Sequence, residues 1–300
     1  MKDQAEKLRE IIDGIKKDPE FMLLGGNANK SNSRVITVTS GKGGVGKTNI
    51  TVNLGICFSQ MGYRVVIIDA DLGLANVDVV MGKMSKYNLS DVISSRRTIV
   101  EILEEGPAGV KFVSGGSGVS QLLKLTSSQM VDLMMKLGSL DNEADIILID
   151  TGAGLSDTVL SFVHAAKEVI LVTTPEPTSI TDAYALIKTI TSRDKNKVIK
   201  VIVNRAENIA EAFNILDKLN IVCNKFLGIK LQKLGFVLND TAVVRAVKSQ
   251  QPFMLSYGKS EAAKNLTEIA ESLIRNSEAN ENSVSGIRLF FNKLSNIFNT

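Results

Sequence analysis

The 300-residue chain has no tryptophan, one histidine and two cysteines, and these scarcities remove whole classes of function. Cys57 and Cys223 lie far apart, each inside an apolar pattern, so they read as buried thiols of a cytosolic protein, not as a disulfide or metal site. No C-x-x-C pair occurs, which argues against a cluster held by closely spaced thiolates. The lone His164, in "LSFVHAA", reads as a helix-packing residue and not as a catalytic base. The opening "MKDQAEKLRE" carries acids and lacks the apolar stretch of a signal peptide. No apolar run approaches the roughly 18 residues that would span a bilayer. Charge of one sign is scarce too: the net +3 is too weak to imply a nucleic-acid partner by itself.

What is present is an ordinary globular composition, with 44% hydrophobic and 22% charged residues. From Arg34 to Arg275 strand-like runs alternate with helix-like ones: "RVITVTS", "RVVIID", "KFVSGG", "DIILID", "EVILVTT", "VIKVIVNR" and, last, "IKLQKLGFV". This rhythm predicts an α/β fold, a doubly wound and mostly parallel sheet flanked by helices, over residues 34–275. Residues 1–20 precede it as an amphipathic helix candidate with Leu8, Ile11, Ile12 and Ile15 on one side, joined by a linker at 21–33. A polar linker at 276–285 leads to a terminal helix at 286–300. There Ile287, Phe290, Phe291, Leu294, Ile297 and Phe298 form an apolar stripe with Arg288 and Lys293 beside it. Such a helix can lie in the membrane interface with its cations toward anionic lipid, or dock on the core; a nucleotide-dependent exchange would allow both.

The chemistry concentrates in "GKGGVGKT", residues Gly41, Lys42, Gly43, Gly44, Val45, Gly46, Lys47 and Thr48. It fits G-x-x-x-x-G-K-[ST] between a strand and a helix, the phosphate-binding loop. The glycines let successive N–H groups turn toward one anion, and the following helix adds the positive end of its dipole. Lys47 would reach the β- and γ-phosphates, and the Thr48 hydroxyl would hold Mg²⁺. In an open α/β sheet the ligand sits beyond the C-terminal strand ends, so acids there matter. Asp69 and Asp71 end one strand; Asp150 ends another, followed by Gly152 and Gly154, whose backbone can approach a γ-phosphate and move as a switch. The guanine-reading pattern N-K-x-D fails at Asn224-Lys225, so ATP is expected.

The loop has a second lysine, Lys42, and "KGGVGKT" resembles the deviant Walker A motif of the MinD/ParA family of ATPases. That resemblance implies that Lys42 reaches the partner's nucleotide across an ATP-dependent homodimer, supplying charge in trans as an arginine finger does. It implies that Asp71 activates the attacking water, with Asp69 near the metal, and that Asp150 holds Mg²⁺ through water. It also implies that Asn204, before Arg205 in "VIVNRAEN", hydrogen-bonds adenine. The missing C-x-x-C argues against the iron–sulfur relatives of this class.

"DQAEKLR", with "DADLGLANVD" and "DTGAGLSDT", resembles the flagellar, FlhG-type branch. This implies that Asp3, Gln4, Leu8 and Arg9 stimulate an SRP-type GTPase of the FlhF type, Gln4 orienting water in the partner's site. The expected setting is the cytoplasm and an anionic membrane surface, possible basal-body components being further partners and nucleic acid not expected. A division-site MinD-type ATPase is the alternative; a ParA-like DNA partition protein is the alternative of another class.

Overall fold

The computed structural model describes residues 33–71, 76–116, 118–122, 125–278 and 286–298. The expected N-terminal helix, with Asp3, Gln4, Leu8 and Arg9, lies outside the described residues. The sheet contains β1 (Arg34–Ser40), β2 (Val65–Ala70), β3 (Glu104–Glu105), β4 (Lys111–Val113), β5 (Ile146–Ala153), β6 (Glu168–Thr173), β7 (Val198–Ala206) and β8 (Gln232–Leu238). Their spatial order is β3-β4-β2-β5-β1-β6-β7-β8, and every pairing is parallel except the short β3–β4 edge. The doubly wound α/β expectation therefore holds.

Central strands β1 and β5 read as near-continuous apolar runs because helices cover both of their faces. Alternate residues divide between two cores: Val35, Ile147 and Ile149 face one, Ile36, Val38 and Leu148 the other. The second core is roofed by α1 (Lys47–Gln60), α2 (Asn76–Met81) and, from the C-terminal third, α10 (Thr241–Lys248), α11 (Phe253–Ser256) and α12 (Glu261–Glu278). The first is covered by α3 (Leu89–Ile93), α4 (Gly118–Leu122), α5 (Ser127–Leu137), α6 (Leu140–Glu143), α7 (Asp157–Ala165), α8 (Pro177–Arg193) and α9 (Ile209–Leu227). Helix α12 runs past the boundary expected at 275.

The terminal helix α13 (Ile287–Phe298) joins the first core. Ile287, Phe290, Phe291 and Leu294 are buried there, and Ile297 is partly buried. The Phe290 ring lies 6.0 Å from Phe162 of α7 and 5.2 Å from Phe291. Gly138, at the end of α5, accommodates the Arg288 side chain, which a Cβ there would strike. The apolar stripe is thus docked in this structure, and any use of it on a membrane requires release. Of Phe298, only its place in the helix is described.

At the opposite end of the sheet from the phosphate loop, Glu168 takes Arg34 Nε on one oxygen at 2.7 Å and Lys200 Nζ on the other at 2.6 Å. Burial alone would push this carboxyl up, but Arg34 and Lys200 outweigh it and hold the pKa at about 2 instead of 4.5. A depressed carboxylate stabilises the fold above its unfolded value, and that contribution fades as pH falls from 4.5 through 2. Its full size is on the order of 3 kcal/mol. Glu168→Gln is therefore expected to flatten the loss of stability between neutral and strongly acidic pH. Urea unfolding at stepped pH checks this; an unchanged acid slope would refute it.

Candidate nucleotide-binding site

The loop between β1 and α1 is shaped by two close approaches. A Cβ on Gly41 would collide with the α8 backbone at Asp182. Gly46, at φ 89°, caps α1 in the left-handed region, where a Cβ would also strike Asn204. The cap has no side-chain hydrogen bond and the first turn no acid, so its N–H groups face the loop without a competing anion.

Lys47 and Thr48 converge on one buried carboxylate. Lys47, only 7% exposed, donates from Nζ to Asp150 Oδ1 at 2.9 Å. Thr48 Oγ1 donates to Asp150 Oδ2 at 2.6 Å, and Thr51 Oγ1 to Oδ1 at 2.9 Å. Beside them opens a cavity of about 320 Å³ lined by Gly44, Lys47, Thr48, Asp71, Asn76 and Arg205, among others. An ammonium, a helix N-terminus with no competing acid and a hydroxyl–carboxylate oxygen pair suit a polyphosphate with a hard divalent cation, so these residues fit Mg²⁺ and ATP.

Asp69 lies inside β2, and Asp71 follows directly after its last residue. Asp69 is buried, and its oxygens accept the backbone N–H groups of Asp71 at 3.0 Å and Val77 at 3.1 Å. It thus ties the end of β2 to the start of α2. Burial, then neighbouring Asp150, pushes its pKa up to about 7. Asp71 stands half-exposed at the cavity, with Asn76 Nδ2 donating to its Oδ2 at 3.2 Å. Gly152 passes beside Asp71, and Gly154, at φ 92°, donates its N–H to Ser40 O at 2.9 Å. The segment after β2 and the end of β5 are therefore neighbours.

Asn204 is buried under the loop, its Nδ2 donating to Val45 O at 2.8 Å. In this structure that amide hydrogen is committed to bracing the loop. Arg205 is exposed at φ 59°, a conformation uncommon outside glycine, and lines the cavity. Lys42 is 38% exposed and folded back: its Nζ donates to Glu176 Oε2 and Thr178 Oγ1, both at 2.8 Å. The hydrogen bond and charge of Lys42 lower the Glu176 pKa. Glu176, Thr178 and Asn76 were missed from the sequence; only Asn76, opening a helix after the D-x-D, left a local signal.

Cys57 in α1 and Cys223 in α9 belong to opposite cores, and burial pushes their thiols up to about 12 and about 11. His164 packs at the end of α7, its Nε2 buried without a hydrogen-bond partner; burial, then Lys197 and Arg193, push its pKa down.

A family model described as "ParA: NUBPL iron-transfer P-loop NTPase" matches residues 31–274. The antiactivator FleN of Pseudomonas aeruginosa is 41% identical over 240 residues, 80% of this chain and 86% of that one. The flagellum site-determining protein YlxH of Helicobacter pylori is 32% identical over 297 residues, 98% of each chain. The solved cell division ATPase MinD of Pyrococcus furiosus aligns with TM-score 0.66 at 25% identity, covering 81% of this chain and 99% of that one.

Proposed function

The chain thus belongs to the ParA family of P-loop NTPases, and from that premise we propose a Mg²⁺-dependent switch ATPase of the flagellar type. One observation carries this reading: the likeness to a flagellum site-determining protein spans 98% of both chains, tails included. Bound nucleotide would supply the negative charge that takes Lys47 from Asp150 and frees that carboxylate to hold Mg²⁺ with Thr48. Asp71 then orients a water, and Asp69 keeps the adjoining loop in register. Lys42 must leave Glu176 and Thr178 to reach a second copy's nucleotide, which makes the Lys42–Glu176 pair the resting arrangement of the single chain.

The partners in this reading are a second copy, an FlhF-type GTPase engaged by residues 1–20, and an anionic membrane surface engaged by α13. Among the described residues no helix is long and apolar enough to cross a membrane, so attachment would be peripheral. GTP turnover by the cognate FlhF-type GTPase, with and without the full-length chain, tests the flagellar part. Stimulation supports it; no stimulation at saturating binding removes it and leaves the ATPase standing.

Deleting residues 286–300 is expected to abolish ATP-dependent binding to anionic vesicles. Because α13 is docked, deletion also uncovers Phe162, so a milder variant separates the effects. Lys293 is exposed beside the stripe. Lys293→Glu is expected to lower vesicle affinity by about tenfold or more, at about 1 kcal/mol per charge near an anionic surface, and to leave thermal stability unchanged. Unaltered flotation of both variants would mean that the stripe serves the core alone.

A further inference from the structure

The beginning of the described chain and the beginning of its last helix hang on one carboxylate oxygen. Asp141, in α6, accepts on Oδ1 from Ser33 Oγ at 2.5 Å, from Ser33 N at 3.4 Å and from Ile287 N at 3.1 Å. Ser33 is wholly buried and is the residue through which positions 1–32 join β1. Ile287, also wholly buried, is the first residue of α13. The turn from Gly138 to Asp141 therefore seats both: Arg288 lies over Gly138, and the backbone of Ile287 reaches Asp141. This turn precedes β5, whereas the phosphate loop follows Ser40, which pairs with Ala153 at the other end of that strand.

We propose that Asp141 is a shared clasp that couples the two ends of the chain. Undocking α13 loosens Ser33, and loosening Ser33 weakens the docking of α13. A carboxylate holding three donors on one oxygen is oriented by all of them. When the Ile287 N–H leaves, Asp141 loses one of those bonds and becomes open to water on the side that α13 covered. Water then competes for the oxygen that holds Ser33, and a charge-assisted hydrogen bond opened to water loses most of its net worth. Linkage makes the effect reciprocal. The membrane as the agent that pulls α13 away rests on the function proposed above; the clasp itself does not. Coupled in this way, arrival at a membrane would free the attachment point of residues 1–20 where their partner GTPase is met.

Amide hydrogen exchange on the full-length chain tests this in two arms. Without vesicles, Asp141→Ala is expected to speed exchange by about tenfold or more at the first turn of α13 and at Ser33–Arg34 together. Asp141→Asn, which keeps an acceptor oxygen, should restore most of the protection, and ATP binding should be unchanged in both. Ser33→Ala, which touches no atom named in α13, should still speed exchange at Ile287. If Asp141→Ala loosens α13 while Ser33–Arg34 keeps wild-type protection, or Ser33→Ala leaves Ile287 as it was, the coupling is refuted. In the second arm, ATP and anionic vesicles added to wild type should expose α13 and Ser33–Arg34 in parallel, and should expose Ser33–Arg34 no further in Asp141→Ala. Exposure of α13 with Ser33–Arg34 still protected overturns the clasp. If α13 stays protected on vesicles, the membrane reading fails, and the first arm alone decides the clasp.

Discussion

Lys47→Ala is expected to weaken ATP binding by at least about a hundredfold, since it truncates one side of a buried, charge-assisted contact. Lys47 is the cation that the loop brings to the cavity from within, and it is buried against Asp150. Among the described cations near the loop, Lys42 is directed to Glu176 and Arg205 is an exposed residue of the cavity lining. The variant carries a second cost. Asp150 has no solvent exposure, and without Lys47 it keeps, among the described residues, the Thr48 and Thr51 hydroxyls. An uncompensated buried charge costs about 3–5 kcal/mol, so the nucleotide-free variant should melt early. Adding Asp150→Asn removes that charge and should recover much of the stability without recovering binding. Calorimetric titration with ATP, beside melting curves, separates the two effects. A folded Lys47→Ala protein with near wild-type affinity would sink the assignment.

Asp71→Ala is expected to bind Mg²⁺ and ATP normally and to hydrolyse about a hundredfold more slowly, the scale of a lost general base. Asp71 lines the cavity half-exposed and accepts from Asn76 Nδ2 at 3.2 Å, whereas the buried contacts of Lys47 and Thr48 that would meet the phosphates and Mg²⁺ are made with Asp150. Asp69→Ala should behave differently. Its oxygens tie the backbone at Asp71 and Val77, so removing them loosens both positions and should disturb affinity and turnover together. Single-turnover hydrolysis distinguishes the pair. If Asp71→Ala turns over within about threefold of wild type, too little for a lost base, the water-activating role belongs elsewhere.

The elements that the sequence revealed are those whose signal is local. β1, β2, β5, β6 and β7 announce themselves as runs of β-branched residues, and the loop from Gly41 to Thr48 as a contiguous motif. Asp69, Asp71 and Asp150 were legible because each closes an apolar run, although in the fold Asp71 follows β2 and Asp150 lies within β5, which continues to Ala153. The two-residue β3 edge was not, since Glu104–Glu105 carries no apolar pattern and forms only against β4. Glu176 on Lys42, Asn204 on Val45 and Asp141 on Ser33 and Ile287 were invisible for another reason. Each joins residues more than a hundred positions apart, so only the folded sheet brings them together. The stripe of α13 shows the limit of periodicity: Phe290 and Phe291 would be spaced alike whether they met lipid or Phe162.

Closure of two chains over nucleotide is the central claim, and the mass in solution tests it most directly. Light scattering behind size exclusion, run with ATP and Mg²⁺ on the Asp71→Ala background to slow hydrolysis, should give twice the 32.4 kDa chain mass. With ADP it should give the chain mass. Adding Lys42→Ala should hold the protein at the chain mass in ATP while leaving nucleotide bound. A species that remains at 32.4 kDa with ATP bound, or a dimer indifferent to Lys42, would contradict the account.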